Sequence, residues 1–192
     1  MPGQKHGGKT LKSACRIRAA VIHYGKKQGG LSMKLFKSLF HVTIYSNDID
    51  RTVAFYEKLG LTVVFKIGEE GKKPWNYYMK IAPGQYLEIQ PVKGDNPHPH
   101  PEETKYYFDQ SIWHFSFETP DIANMIEVLL ERGIELYYDA DKSKRVTTPD
   151  GFLAGPDGCK IVWVFDPDGT PIELMEQTET SYQHIYDPES YR

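Results

Sequence analysis

Residues 41–65 and 114–138 are two versions of one segment. HVTIYSNDIDRTVAFYEKLGLTVVF, from His41, aligns with HFSFETPDIANMIEVLLERGIELYY, from His114, at a constant offset of 73. His41 matches His114, Asp48-Ile49 matches Asp121-Ile122, and Gly60 matches Gly133, with no gap. Further on, Tyr86-Leu87-Glu88-Ile89-Gln90 aligns with Pro171-Ile172-Glu173-Leu174-Met175 at an offset of 85, so the second half carries 12 extra residues. A repeat of this kind restricts the chain to two copies of one supersecondary unit, each with an apolar face that needs covering.

Each half reads as a strand, a helix and three strands. Residues 39–45 alternate apolar and polar, as a half-buried strand does. Asp48 is a natural N-cap. Val53, Ala54, Phe55 and Leu59 offer apolar positions for a buried helical face, and Gly60 stands where a glycine ends a helix. Leu61–Lys66, Trp75–Ile81 and Gln85–Pro91 are strands rich in β-branched and aromatic residues, with Pro83-Gly84 as the turn between the last two. The second half repeats the order: a strand at 111–118, a helix near 121–132 closed by Gly133, and strands near 134–138, 159–165 and 171–176. Pro149-Asp150-Gly151 and Pro156-Asp157-Gly158 mark a loop, and Asp166-Pro167-Asp168-Gly169 a turn. The fold class expected is α+β, with module one at 38–92, a polar linker at 93–110 and module two at 111–177.

The flanks differ from this core. Residues 1–32 hold seven Lys/Arg and no Asp or Glu, against 16 basic and 26 acidic residues in the remainder. This head is expected to be a disordered, dispensable extension, and 178–192 a polar tail. Net charge is -3, so the protein as a whole does not read as a nucleic-acid binder. No apolar run reaches membrane-spanning length, and no membrane partner is expected. Two cysteines, Cys15 and Cys159, are too few for a disulfide scaffold, and a reducing cytoplasm is the expected compartment.

Strand alternation singles out the chemistry. Phe40, Val42 and Ile44 form one face of the first strand, which leaves His41, Thr43 and Tyr45 on the other. In the repeat, Trp113, Phe115 and Phe117 leave His114, Ser116 and Glu118 opposite. On the last strands, Glu88 and Glu173 point away from Leu87/Ile89 and Ile172/Leu174. Two His and two Glu thus hold equivalent positions, and symmetric pairing of the halves would bring them together. Two imidazoles and two carboxylates suit a borderline divalent ion: Ni, Zn, Co, Mn or Fe. Thr43, Tyr45 and Ser116 share the ligand faces and are candidate pocket residues for a small-molecule substrate. Trp75, Tyr77, Phe117 and Trp163 could line a pocket, with core packing the expected place for each. Cys159 reads as a buried structural thiol. His98 and His100 belong to a Pro-rich loop, and Glu176, out of phase with Glu173, should face away from it.

Paired modules with a His on each first strand and a Glu on each last strand resemble the vicinal-oxygen-chelate superfamily. It includes glyoxalase I, extradiol dioxygenases, methylmalonyl-CoA epimerase and the bleomycin- and fosfomycin-resistance proteins. FYEKLGL (55–61) and DPDGTPIELME (166–176) resemble its helix end and C-terminal signature, and the resemblance spans about 36–177. It implies two βαβββ modules forming a cupped mixed sheet. His41, Glu88, His114 and Glu173 match the ligand order of glyoxalase I. By that similarity a 2-oxoaldehyde thiohemiacetal would isomerise to a 2-hydroxyacyl thioester, through an enediolate held by one divalent metal ion per site. Glu173 would be the first candidate base and Glu88 the second. The resemblance further implies a homodimer in which His41/Glu88 meet His114/Glu173 of a second chain. Many members carry an Arg four residues after the first ligand and an Asn four after the second; Tyr45 and Val92 stand there instead. Two other readings stay open: a ring-cleaving extradiol dioxygenase, and a metal-free binding or resistance protein that sequesters an aromatic compound.

Overall fold

The computed structural model describes residues 38–92 and 112–188. The expectations for 1–32, for the linker 93–110, and for His98 and His100 fall outside them. In the first module, β1 (His41–Ser46) leads into α1 (Ile49–Lys58), followed by β2 (Thr62–Ile67), β3 (Asn76–Ala82) and β4 (Gln85–Pro91). The second module runs β5 (Phe115–Glu118), α2 (Ile122–Glu131), β6 (Leu136–Tyr137), β7 (Arg145–Val146), β8 (Leu153–Ala154), β9 (Lys160–Phe165) and β10 (Pro171–Glu176), and ends in α3 (Tyr182–Tyr186). The fold is mixed α+β, and each module builds its own mixed sheet. The orders are β1-β4-β3-β2 and β5-β10-β9-β6-β7, with β8 paired to β9.

The repeat is visible in the strand register. In each module the first strand lies parallel to the last, and the remaining ladders are antiparallel. Val42 faces Leu87 and Ile44 faces Ile89; Phe115 faces Ile172 and Phe117 faces Leu174. These apolar rows turn inward to one hydrophobic core to which both modules contribute.

The helices close the same core. Ile49, Val53 and Tyr56 recur at helical spacing on the buried face of α1, and Ile122, Ile126 and Leu129 do so on α2. Ala54, expected on that face, is exposed. Tyr56, which holds a turn of the stripe that Ala54 does not, is completely buried. The Asp48 cap is as the sequence foretells, and Asp121 repeats it in the second module. The Asp48 carboxylate accepts the Arg51 amide at 3.1 Å, and Asp121 accepts the Asn124 amide at 3.0 Å. Gly60 (φ 104°) and Gly133 (φ 73°) end the helices in the left-handed region that favours glycine. Asp48→Ala should therefore cost about 1 kcal/mol. A urea midpoint unchanged from wild type would show that Asp48 does not hold the helix start.

The modules are tied through the turn between β9 and β10. The Asn47 amide nitrogen Nδ2 donates to Asp168 at 2.9 Å, and the Arg51 guanidinium donates to the Pro167 carbonyl at 2.9 Å. The Tyr56 hydroxyl donates to buried Asp166 at 3.2 Å, while the Asp168 and Thr170 amides donate to the same carboxylate. From the other side, Arg132 donates to the Lys58 carbonyl at 2.8 Å, at the end of α1.

Three elements lie outside the sequence expectation. β7 and β8 are two-residue strands between the strands expected near 134–138 and 159–165, β8 within the stretch expected as loop, and α3 falls within the stretch expected as a polar tail. Strand 134–138 contracts to Leu136–Tyr137, and strand 111–118 is described as Phe115–Glu118.

Candidate metal and substrate site

Glu88 and Glu173 occupy the same place in their sheets. Thr43 is in register with Glu88, and Ser116 with Glu173. Each His stands two residues before its Thr or Ser, on the same face. His41 Nε2 therefore lies 3.4 Å from Glu88 Oε2, and His114 Nε2 lies 3.7 Å from Glu173 Oε2. Both gaps exceed a normal hydrogen bond. They are close to the roughly 3.0–3.4 Å that separates two donors sharing one ion at ordinary zinc–ligand distances. The residue types and spacing thus fit half of a divalent-metal shell at each pair. Among the described residues no group of three His, Cys, Asp or Glu gathers at one point. Within the chain the quartet is two pairs, one on each sheet.

The two carboxylates differ in their surroundings. Glu88 is buried and receives Thr43 Oγ1 at 2.5 Å, Asn76 Nδ2 at 2.5 Å and Gln90 Nε2 at 2.9 Å. The Tyr78 hydroxyl donates to it as well. Burial pushes its pKa up, but these four donors outweigh burial and hold the carboxyl down at about 2. Glu173 is half-buried. The Ser116 hydroxyl donates to its backbone carbonyl, and among the described residues no side chain donates to its carboxylate. Asn76, Tyr78 and Gln90 are functional candidates that the sequence reading did not single out. The signal was present: Asn76 and Tyr78 alternate with buried Tyr77 and Met79 on β3, as Glu88 and Gln90 alternate with Leu87 and Ile89.

Aromatic rings surround both pairs. Tyr78 meets His41 edge-on at 5.6 Å and stacks on Phe65 at 4.4 Å. Trp163 and Trp113 meet His114 edge-on at 5.0 and 4.6 Å. Trp163 is buried as expected, yet it points to the His114 face and not into the shared core, because it is in register with Glu173. Tyr77 is buried and Phe117 packs against the core. Trp75 is exposed, against expectation: it precedes β3 and has no sheet face to cover it. Trp113, expected on the inner face with Phe115, lies ahead of β5 and turns its ring to Trp163. Tyr45 is exposed on the His41 face. Residues just before both His are exposed too: Leu39 70% and Phe40 57%, Ile112 69% and Trp113 47%. His114 Nδ1 is buried with no partner among the described residues.

Glu176 faces away from Glu173. It binds Lys160 at 2.6 Å and accepts the Ile122 amide at 2.7 Å at the start of α2. Cys159 is fully buried against Gln183 of α3. Burial, with the Asp157 carboxylate beside it, pushes its thiol up to about 11. Cys159 should stay unmodified by a thiol reagent at pH 8 in folded protein and react on unfolding. Labelling at native rates, mapped to Cys159 by peptide mass, would contradict this.

The chain belongs to the glyoxalase/bleomycin resistance protein/dioxygenase superfamily, whose family model matches residues 38–174. It is 26% identical over 144 residues to "Uncharacterized protein YwkD" of Bacillus subtilis (strain 168), covering 74% of this chain and 99% of that one. It is also 26% identical over 148 residues to "Putative lactoylglutathione lyase" of Brassica oleracea var. gemmifera, covering 75% of this chain but 46% of that protein. Among solved structures, a glyoxalase family protein from Enterococcus faecalis superposes with a TM-score of 0.53 at 28% identity, over 73% of this chain and 98% of that one. Among the described residues no helix is long and apolar enough to cross a membrane.

Proposed function

We propose that this protein is a metal-dependent lyase or isomerase of the glyoxalase I type, a homodimer that transfers a proton on a small carbonyl or thiohemiacetal substrate. The observation that carries the reading is the matched pair of His–Glu contacts, 3.4 and 3.7 Å, at equivalent strand positions of two repeats. His41 and Glu88 of one chain, with His114 and Glu173 of a second, would hold one divalent ion. Completion by a second copy is supported by the exposed apolar residues before each His. Such an ion supplies Lewis-acid polarisation of a carbonyl oxygen.

The chain's own residues divide the remaining work. Glu88, fixed by four donors and held ionised, suits a permanent ligand and is a weak base. Glu173, to whose carboxylate no side chain donates among the described residues, would take a carbon-bound proton and return it. The rings of Tyr78, Phe65, Trp113 and Trp163 would receive an apolar or flat part of the substrate and exclude water. Those rings, and Tyr45 in place of a cation, favour a substrate other than a glutathione conjugate. They also support a second reading, a binding protein for an aromatic compound.

The test is the metal content of tag-free protein beside His114→Ala. About one divalent ion per His–Glu quartet, lost in the variant, is expected. Nickel, cobalt or zinc favours the isomerase. Iron with oxygen uptake on a catechol favours the dioxygenase, and no metal after reconstitution favours the binding protein.

A further inference from the structure

A cavity lined by none of the His–Glu residues opens where the modules meet. It has a volume of about 480 Å³ and lies among α1, the start of β6 and the end of β9. That volume is within the range of small-molecule sites, and a junction of modules is a usual place for one. Three rings wall it: Phe55, Tyr137 and Phe165. The last two pack edge to face at 5.7 Å.

The charges around it are unequally matched. Glu135 is held by Arg145 at 2.6 Å and by the Tyr137 hydroxyl. Asp166 is buried under Tyr56 and two backbone amides. Arg51 is engaged with Pro167 and Asp168. Each of these groups already has its partner. Lys58 and Lys142 also line the cavity, and neither forms an ion pair among the described residues. The Lys142 ammonium sits 4.0 Å over the Phe165 ring, so a cation is held directly against the aromatic wall. Lys142 is also the one non-glycine residue with a positive φ, 59°, among the described residues.

We propose that this cavity binds a small planar anion, an aromatic carboxylate, sulfonate or phosphate. Its ring would pack against Phe55 and Tyr137, and its acidic group would meet Lys58 and the Lys142 ammonium held over Phe165. Two ammonium groups that form no ion pair among the described residues, in a cavity with three aromatic rings, match the two ends of such a molecule. The cavity does not depend on the metal reading.

The probe is 8-anilinonaphthalene-1-sulfonate, with N-phenyl-1-naphthylamine as its uncharged counterpart, each titrated by fluorescence into the full chain. The sulfonate should bind saturably, and more weakly as salt is raised. The Lys58→Ala/Lys142→Ala double variant should weaken it by about tenfold or more, while Lys80→Ala leaves it unchanged. Both lysines are exposed, so the double variant should fold normally. The naphthylamine should bind wild type and double variant alike. Sulfonate binding unchanged in the double variant would overturn the proposal by placing the dye elsewhere, such as on the aromatic sheet faces. So would equal loss of both dyes, or no saturable sulfonate binding.

Discussion

Glu173→Gln is expected to lose about two to four orders of magnitude of proton-transfer activity while keeping its metal. The amide retains an oxygen that can ligate but is far too weak a base to accept a proton at neutral pH. The loss should appear in kcat, because the proposed base would act on the reacting atoms and not on substrate binding. Glu88→Gln should behave differently. Its carboxylate accepts from Thr43, Asn76, Gln90 and Tyr78, and an amide in its place would turn an NH2 toward some of those donors. That change should weaken metal retention first. Measuring metal content and single-turnover rates on both variants separates the roles. A Glu173→Gln enzyme within tenfold of wild type would remove Glu173 as the base.

The second large effect is on stability. Leu87 is completely buried at the centre of β4, between Val42 on one side and Met79 on the other. Leu87→Ala should cost about 2–5 kcal/mol, since neighbours locked in two ladders relax little into the space. Against a total of about 5–15 kcal/mol this is a large fraction. The urea midpoint should fall while the slope stays constant. A shift below about 0.5 kcal/mol would mean that the sheet collapses around the gap.

The repeat made the fold legible because it tested itself. Asp48 as a cap and Gly60 and Gly133 as helix ends are readable from the repeat; the Asp121 cap and the parallel pairing of first and last strands, which the structure adds, recur in the same places. Period two separated Glu88 from Leu87 and Ile89 without any knowledge of the sheet. It could not reveal what lies beside Glu88, because Asn76 and Tyr78 reach it from a neighbouring strand whose register no local pattern encodes. Trp113 misled for a related reason. Its parity assigned it to the core, but β5 begins only at Phe115, and alternation has no meaning ahead of the ladder. The two-residue strands β7 and β8 are too short to carry a period.

The turn that reaches across to α1 gives the tandem a direction. Its counterpart in the first module is the two-residue turn Pro83-Gly84, which supplies no Asp to match Asp166 or Asp168. Only the later copy grips the earlier one in this way, so the repeats are similar but not interchangeable. A chain made of two first modules would have twin sheets and no clasp, whereas a circular permutant that keeps both turns would keep it.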